Sequence, residues 1–402
     1  MRILERLVRQ RQRRRFFDDF PAHARVFQRA RLPLAVFARS AHDLSDHAGK
    51  QYYRHAAALE IHQGPAQEMG LRPQNAAIQQ NGNLQRHELM QTPVKSLFLV
   101  LNPSSRSFTG QKKWPRTFEL LDQSGVHYAH ALTEKAGDGT RLAEAAAKQG
   151  FDAVIAVGGD GTINEVISGV VPVLEQNPDS ACRFGVIYTG TSPDFCSFHG
   201  LSLDPEVIVN RILAGHTRHV DLCRIVHRCE NSEQTVNRYF SCSANFGMGA
   251  AIARGSNTGL RKRFGDFIGT LLSMLDAIRN YIPSRFQLKI DGNECDFDQV
   301  HNIFIGKNPY IASGIRLKLD IAADDGRMYV VALHGISKFR LLSILPRVYT
   351  GSFCREFEPI FCREVEISAG GGADEVEYDG DPQGRLPAQI SILPRILPVL
   401  GG

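Results

Sequence analysis

The stretch that decides the fold is AVIAVGGDGTINEV, residues 153–166. Ala153–Val157 is a continuous apolar run, which predicts a strand buried on both faces. Asn164–Leu174 has the apolar spacing of a helix. Between them lie three glycines, an aspartate and a threonine, Gly158 to Thr162. The stretch therefore predicts a strand, a glycine-rich loop and a helix in succession.

The same alternation extends outward over residues 96–215. Apolar runs predict three further strands at Leu97–Leu101, His127–Leu132 and Phe184–Tyr188. Helical patterns lie between and after them at Arg116–Gln123, Asp138–Gln149 and Asp204–Leu213. Strands that are apolar throughout and alternate with helices predict a parallel sheet covered on both faces.

From about residue 217 the pattern changes to short runs of alternating apolar and polar residues. Examples are VDLCRIV, HNIFIG and RMYVVAL, and one amphipathic helix is expected at Phe264–Tyr281. Many short strands joined by Gly and Asp turns predict antiparallel β-structure. The predicted fold is thus a parallel-sheet α/β domain followed by an antiparallel, sandwich-like β-rich domain.

The chemistry is expected in the loops that follow the four α/β strands, because ligands of open parallel sheets bind beyond the carboxyl ends of the strands. The loop from Gly158 to Thr162 predicts an anion site, since glycines permit close approach and N–H groups at the next helix N-terminus bind phosphate. Asp160 suits Mg²⁺ or a hydroxyl better than phosphate. An ordinary tight turn is the alternative. The loops at 102–106 and 190–195, and Thr133, are weak signals when taken singly.

Two acidic turns stand out in the second half. Asp324-Asp325-Gly326-Arg327 precedes the strand MYVVAL, and YDGD occupies residues 378–381. Because Asp-Gly is a common hairpin signal, each reads locally as a β-turn. The carboxylates of Asp379 and Asp381 would suit a base or a metal ligand if they faced the phosphate loops.

Taken together, these motifs resemble the diacylglycerol kinase catalytic domain family, lipid kinases related to sphingosine kinases and, more distantly, to NAD kinases. The resemblance runs from about Val94 to Leu400. It rests on an ordered series: NPSSR (102–106), Thr133, VGGDGTINEV (157–166), GTSPDF (190–195), VDL (220–222), ANFGMGA (244–250), PYIASGIRL (309–317), DDGRMYVV (324–331), YDGD (378–381) and ILP (392–394).

The resemblance implies ATP binding by Asn102, Pro103, Ser104, Ser105, Arg106, Thr133, Gly158, Gly159, Asp160, Gly161, Thr162, Ile163, Asn164 and Thr191. It implies a structural Mg²⁺ near Asp325, to which Ala322 and Arg327 contribute mainly backbone oxygen. It places the proton acceptor at Asp381, supported by Asp379. The implied fold has an ATP-binding domain at 96–218, completed by a returning strand at 388–400. A β-rich domain at 219–387 carries the lipid and the catalytic acid, and the site lies between the domains.

Four positions depart from the family pattern. Arg106 stands where the first loop usually has Gly, Tyr188 replaces Pro, Pro193 replaces the Asn of GTxNDF, and Asp381 replaces Glu. The last change withdraws a carboxylate by one methylene, and a catalytic group misplaced by about 1 Å can slow a reaction about a hundredfold. The departures leave open a slow kinase, an altered substrate or a non-catalytic nucleotide binder.

The net charge of +5 is concentrated at the N-terminus. Residues 1–31 hold ten Arg against three acids, so they carry +7, and residues 32–89 are neutral, which leaves −2 for the rest. This balance excludes a wholly basic nucleic-acid binder. In residues 1–20, Ile3, Leu4, Leu7 and Val8 lie on one helical face, so this segment is expected to contact anionic membranes. A solvated tail, or a segment upstream of a start at Met90, are the alternatives.

The sequence thus predicts a basic extension (1–60), a linker rich in Gln, Asn, Gly and Pro (61–95), and a kinase body. The expected activity is transfer of the γ-phosphate of ATP to a lipid hydroxyl, with Mg²⁺, no nucleic acid, and a place at the inner face of the cytoplasmic membrane. The scattered Cys residues, without a C-x-x-C pair, indicate a reducing cytosol. A homodimer, a non-catalytic ATP- or lipid-binding regulator, and a soluble-substrate kinase of the NAD-kinase kind stay open.

Overall fold

The computed structural model describes residues 92–230, 232–255, 266–311, 315–349, 357–370 and 375–402. The predicted basic extension, and all of the predicted linker before Thr92, lie outside these residues. In the described part of the chain, fourteen strands form one sheet and two more form a separate hairpin. Among the described helices, none is both long and apolar enough to span a bilayer.

The first half is built on four parallel strands in the order β2-β1-β3-β4. The strands are β1 (Ser96–Leu101), β2 (His127–Leu132), β3 (Ala153–Gly158) and β4 (Arg183–Tyr188). The helices are α1 (Trp114–Ser124), α2 (Asp138–Lys148), α3 (Asp160–Gln176), α4 (Asp194–His199) and α5 (Pro205–Ala214). All six residues of β3 are buried, as its continuous apolar run predicts.

Helix α3 begins four residues earlier than its apolar spacing predicts. It starts at Asp160, with Gly159 as its N-cap, and continues past Pro172 to Gln176. Burial of one face accounts for this length, because Ile163, Val166 and other apolar side chains of α3 have no exposed surface. The last residues of the glycine loop are therefore the first turn of a helix, whose free N–H groups favour anions.

The second half is β-rich and largely antiparallel. Its strands are β5 (Thr217–Arg228), β6 (Thr235–Phe240), β7 (Ser243–Gly247), β8 (Ser284–Ile290), β9 (Asn293–Gly306), β10 (Tyr310–Ile311), β11 (Ile315–Arg316), β12 (Met328–His334), β13 (Ile360–Cys362), β14 (Glu364–Gly370), β15 (Glu375–Tyr378) and β16 (Asp381–Leu400). Three helices, α6 (Met248–Gly255), α7 (Asp266–Asn280) and α8 (Lys338–Tyr349), lie among them. The predicted order of an α/β domain and then a β-rich domain is confirmed.

The sequence pattern does not predict the short helices α4 and α6 or the longer helix α8. Leu341 and Ile344 are buried at helical spacing, but Phe339 and Leu342 on the same helix are exposed. Apolar residues on both faces blur the helical period, and Pro346 lies inside the same run.

The long last strand β16 links the two halves of the sheet. It pairs antiparallel with β5, β14 and β15, and Val399 near its end pairs in parallel with Phe184 of β4. The first hydrophobic core accordingly contains Leu397, Val399 and Leu400 together with the α/β strands.

Candidate active site

A cavity of about 1380 Å³ lies beyond the carboxyl ends of β1 to β4 and is closed on its other side by residues of the β-rich half. It gathers most of the predicted nucleotide residues: Asn102, Ser104, Ser105, Arg106, Thr133, Gly159, Asp160, Gly161, Thr162, Asn164 and Thr191. Pro103, Gly158 and Ile163 are not among its lining residues. Ile163 is instead fully buried in the first hydrophobic core.

Glycines allow the loops around this cavity to touch. A Cβ on Gly158 would lie 2.2 Å from the Thr162 Oγ1, inside the same loop. A Cβ on Gly190 would lie 2.6 Å from the Gly159 Cα, so the loops after β3 and β4 meet backbone to backbone. Because no side chain fits at these contacts, the glycine content of the loops follows from their packing.

The first loop is fastened to its neighbours by the polar side chains that the sequence singled out. The Asn102 Nδ2 donates to the Thr162 Oγ1 at 2.9 Å, and the Asn102 Oδ1 accepts from the Ser104 N–H at 2.9 Å. The Thr189 hydroxyl donates to the Ser105 Oγ at 3.0 Å. Arg106, which stands in place of Gly, adopts a left-handed backbone with a φ of 50°. The loop keeps a conformation that favours glycine, at a steric cost.

Asp160 has a carboxylate with a strongly raised pKa. Burial raises its pKa to about 7, and the negative charges of Asp194 and Asp379 add to the shift, although a hydrogen bond from the Tyr188 hydroxyl opposes it. That hydroxyl donates to the Asp160 Oδ2 at 2.8 Å, and the Phe195 N–H donates to Oδ1 at 3.4 Å. Tyr188, which departs from the family pattern, thus contacts the acid of the glycine loop directly.

Asp379 is held across the cavity by donors from both halves of the chain. Its carboxylate accepts from the Asn164 Nδ2 at 2.5 Å, from the Ser241 N–H at 3.0 Å and from the Cys242 N–H at 2.9 Å. The Ser241 hydroxyl donates to it as well, at 3.3 Å. Burial raises the pKa of Asp379, and these hydrogen bonds oppose the shift. With this many donors, the carboxylate is suited to joining the glycine helix to the β-rich half.

The acidic turn contains a second buried carboxylate that the sequence reading missed. Glu377 accepts from the Asn245 Nδ2 at 2.5 Å and from the Gly380 N–H at 2.6 Å. Asn245 in turn accepts from Asn302, at 3.2 Å. Asp381 is the first residue of β16, and only its backbone belongs to the described part of the structure. A signal for Glu377 was available in its position two residues before Asp379, at the end of the strand β15 that leads into the acidic turn.

Glu165, the acid of the TINEV segment, also lines the cavity but was not singled out. Its carboxylate accepts from the Gly137 N–H at 2.9 Å and the Gly139 N–H at 2.7 Å. It therefore satisfies donors at the start of α2, where a negative charge is favourable.

The far end of the cavity is apolar. It is lined by side chains of α6, α7, α8, β9 and β12: Met248, Ile252, Met274, Ile278, Phe304, Leu333 and Leu341. The same side chains belong to a separate hydrophobic core of the β-rich half. One continuous cavity is thus lined by the polar glycine loops, by Asp379 and by an apolar wall.

The predicted metal residues Asp325, Ala322 and Arg327 do not line this cavity. They form the turn before β12, where the Asp325 carboxylate accepts from the N–H groups of Ala322 and Arg327, both at 3.1 Å. Within the described ranges, no group of three or more His, Cys, Asp or Glu side chains is placed to hold a metal ion.

Sequence comparison agrees with this division of the molecule. Residues 96–225 match the profile of the diacylglycerol kinase catalytic domain, and residues 242–401 match that of the YegS C-terminal NAD kinase beta sandwich-like domain. The chain therefore carries a diacylglycerol kinase catalytic domain followed by a YegS-type C-terminal domain.

Individual relatives of this kinase family are distant. A diacylglycerol kinase of Staphylococcus aureus is 25% identical over 302 residues, which are 75% of this chain and 90% of that protein. The crystal structure of a diacylglycerol kinase from Bacillus anthracis superposes with a TM-score of 0.59 at 18% identity, covering 77% of this chain and 98% of that one. The second comparison shows that the fold is shared.

Proposed function

We propose that this protein is an ATP-dependent lipid kinase that transfers the γ-phosphate of ATP to a lipid hydroxyl. The observation that carries the proposal is the single cavity joining the glycine loops to the apolar wall of Met248, Ile278, Leu333 and their neighbours. The polar end suits a triphosphate and the apolar end suits an acyl or sphingoid chain. The soluble nucleotide NAD has no long apolar chain that would pack against this wall.

At the polar end, the phosphates would lie against the N-terminus of α3. The N–H groups of its first turn are free of intrahelical partners and meet negative charge favourably. Gly159 and Gly161 line the cavity there, so backbone is accessible to phosphate oxygens. Phosphoryl transfer depends mainly on such positioning and on charge neutralisation.

The carboxylate of Asp160 fits a nucleotide-borne Mg²⁺, with Asp379 as a second negative charge nearby. Burial raises the pKa of both Asp160 and Asp379, and nearby negative charges raise that of Asp160 further. A bound cation would oppose these shifts by favouring the ionised carboxylates. Mg²⁺ bound with ATP would neutralise charge that develops on the transferred phosphoryl group. Asp160 would hold the metal, and Asp379 would keep the β-rich half aligned with it.

In the proposed reaction the lipid hydroxyl oxygen forms a bond to the γ-phosphorus while the bond to the β,γ-bridging oxygen breaks, releasing ADP. The hydroxyl proton passes to a carboxylate. The family resemblance assigns that role to Asp381, which follows directly on the Asp379–Gly380 turn. ATP binding by the loops of the cavity and proton transfer to Asp381 are parts of the same proposal.

Residues 1–20 are proposed to anchor the enzyme peripherally at anionic membranes, where its substrate lies. Deleting residues 1–31 should then reduce co-sedimentation with vesicles containing phosphatidylglycerol and leave turnover of lipid in detergent micelles unchanged. Equal co-sedimentation of both proteins would contradict the anchor.

The activity is tested by transfer of labelled γ-phosphate from ATP to a total lipid extract in mixed micelles, with NAD as a parallel acceptor. We expect a labelled lipid, no labelled NAD, and loss of transfer in Asp381→Ala with ATP binding retained. Met274→Glu should reduce lipid transfer more than ATP binding, because Met274 lines only the apolar end. Labelled NAD without labelled lipid would favour the soluble-substrate kinase. ATP binding with no labelled product would favour a non-catalytic regulator.

A further inference from the structure

A buried lysine lies outside the cavity and is not explained by phosphoryl transfer. Lys307 follows β9 directly, and only 2% of its side chain is exposed. Its ammonium contacts the Asp221 Oδ2 at 2.8 Å and the Arg327 carbonyl oxygen at 2.8 Å, and it also donates to the Asp325 Oδ1. An ammonium has three N–H donors, so this one is fully used.

The two carboxylates around Lys307 are also occupied by other donors. Asp221 on β5, whose side chain is entirely buried, accepts from the Gly326 N–H at 2.7 Å and the Arg395 N–H at 2.8 Å. Asp325 accepts from the Arg327 guanidinium at 2.9 Å, besides its two backbone donors. Burial alone would raise the pKa of Asp325, but the hydrogen bonds from Lys307, Ala322 and Arg327 lower it to about 2.

This turn is where the family resemblance implies a structural Mg²⁺, and its atoms do not fit one. The implied ligands are the Asp325 carboxylate and backbone oxygens of Ala322 and Arg327. Here the Arg327 oxygen accepts from Lys307, and Ala322 directs its N–H toward Asp325. Two carboxylates are balanced by the Lys307 ammonium and the Arg327 guanidinium. A divalent cation would add uncompensated positive charge to a largely buried site in which both carboxylates and the Arg327 oxygen already accept hydrogen bonds.

We infer that the Lys307 ammonium takes the place of a structural divalent cation in this chain. The lysine is a permanent internal cation that ties together three elements: β5 through Asp221, the turn before β12 through Asp325 and Arg327, and the end of β9. The inference concerns how the fold is held and stands whether or not the chain phosphorylates a lipid.

The lysine cluster is joined to the cavity through its own backbone. The N–H groups of Lys307 and Asn308 both donate to the Cys242 carbonyl oxygen, at 3.2 and 3.3 Å. The Cys242 N–H donates to Asp379, and the Asn308 Nδ2 donates to the Asp194 carbonyl oxygen at 3.1 Å. The lysine cluster is therefore connected to the loops that carry Asp194 and Asp379 through Cys242 and Asn308.

The inference is tested by counting metal ions bound to the nucleotide-free full chain. Mn²⁺ is titrated into wild type, Asp325→Asn and Asp324→Asn, and free Mn²⁺ is measured by electron paramagnetic resonance. Asp324 is the matched control, because it neighbours Asp325 but is 35% exposed and pairs with Arg218 at the surface. We expect the same number of bound Mn²⁺ in all three proteins, with a lower melting temperature in Asp325→Asn alone. Loss of one bound Mn²⁺ in Asp325→Asn but not in Asp324→Asn would overturn the inference.

A second measurement uses Lys307→Met, which keeps the length of the side chain and removes its charge. Wild type should melt at the same temperature in EDTA and in millimolar Mg²⁺. Lys307→Met should melt several degrees lower in EDTA and recover part of that loss in Mg²⁺. A folded Lys307→Met that gains no response to Mg²⁺ would also count against the inference. If that variant does not fold, the Mn²⁺ count decides alone.

Discussion

Replacing Asp160 by Asn should stabilise the protein while destroying its proposed activity. The Asp160 pKa rises from 3.8 to about 7 on folding, so ionised Asp160 costs free energy in the native state. Each pKa unit is worth about 1.4 kcal/mol, which sets an upper limit of about 4 kcal/mol at pH 8. An Asn has nearly the same shape, can accept from the Phe195 N–H and can still pair with the Tyr188 hydroxyl, so its packing cost is small.

The stability that Asp160→Asn gains should increase with pH. Below pH 3.8 the carboxyl is protonated in both the folded and unfolded states, so the substitution gains nothing there. As pH rises the unfolded carboxyl ionises first, and the gain grows until it levels off above about pH 7. At pH 5 about 2 kcal/mol of the gain should be present, and at pH 8 about 4 kcal/mol.

The measurement is urea unfolding of wild type and Asp160→Asn in EDTA, at both pH values. Asp179→Asn serves as the control, because Asp179 is exposed and its substitution should change stability by less than about 0.5 kcal/mol. Turnover of Mg-ATP by Asp160→Asn should fall at least about a hundredfold, the effect of removing one preorganised electrostatic group. A variant that is less stable than wild type at pH 8, or a gain equal at pH 5 and pH 8, would refute the reasoning.

Three further predictions use neighbouring residues of the same domain. Gly169→Ala should lower the free energy of unfolding by about 1–3 kcal/mol in urea titrations, because its Cβ would lie 2.3 Å from the Thr140 carbonyl oxygen where α2 and α3 cross. Gly161→Ala meets nothing within 4 Å, so it should keep full stability and weaken ATP binding in calorimetry, since the new methyl group faces the cavity. Tyr188→Phe removes a hydrogen bond that lowers the pKa of Asp160, so the acid limb of the rate profile at limiting Mg²⁺ should move to higher pH; an unmoved limb would separate Asp160 from metal binding.

Most of the architecture of the first half follows from patterns that are local in sequence. The runs at 97–101, 153–157 and 184–188 are apolar throughout, and burial on both faces is the reason, as β3 shows. The glycines of the loops after β3 and β4 are also a local signal, because Gly158 and Gly190 make contacts that leave no room for a side chain. Helix α8 could not be predicted in this way, because its exposed Phe339 and Leu342 interrupt the helical hydrophobic pattern of the buried Leu341 and Ile344.

The site was only partly predictable, because its decisive contacts join residues far apart in the chain. The Tyr188 hydroxyl bonds to an acid 28 positions earlier, and the Asn164 amide to one 215 positions later. A motif identifies Asp160 and Asp379 as special without showing what surrounds them. The burial of Lys307 could not be predicted from the sequence, because a single lysine after an apolar strand is ordinarily exposed to solvent. Only the fold brings Asp221 and Asp325 to it.

Buried negative charge is compensated at Asp221 and Asp325 but not at Asp160 and Asp379. Around Asp221 and Asp325 the compensating cations are Lys307 and Arg327, which are covalently part of the fold and always present. In the described part of the chain, Asp160 and Asp379 accept hydrogen bonds only from neutral donors, the Tyr188 hydroxyl, the Asn164 amide, the Ser241 hydroxyl and backbone N–H groups. Burial raises the pKa of both carboxyl groups, and the hydrogen bonds from these neutral donors only partly oppose the shift. If the proposed Mg²⁺ arrives and leaves with the nucleotide, the negative charge of this site has no cation beside it between turnovers. The same buried carboxylate without a compensating cation therefore lowers stability and serves the proposed catalysis. Both effects should disappear together in Asp160→Asn.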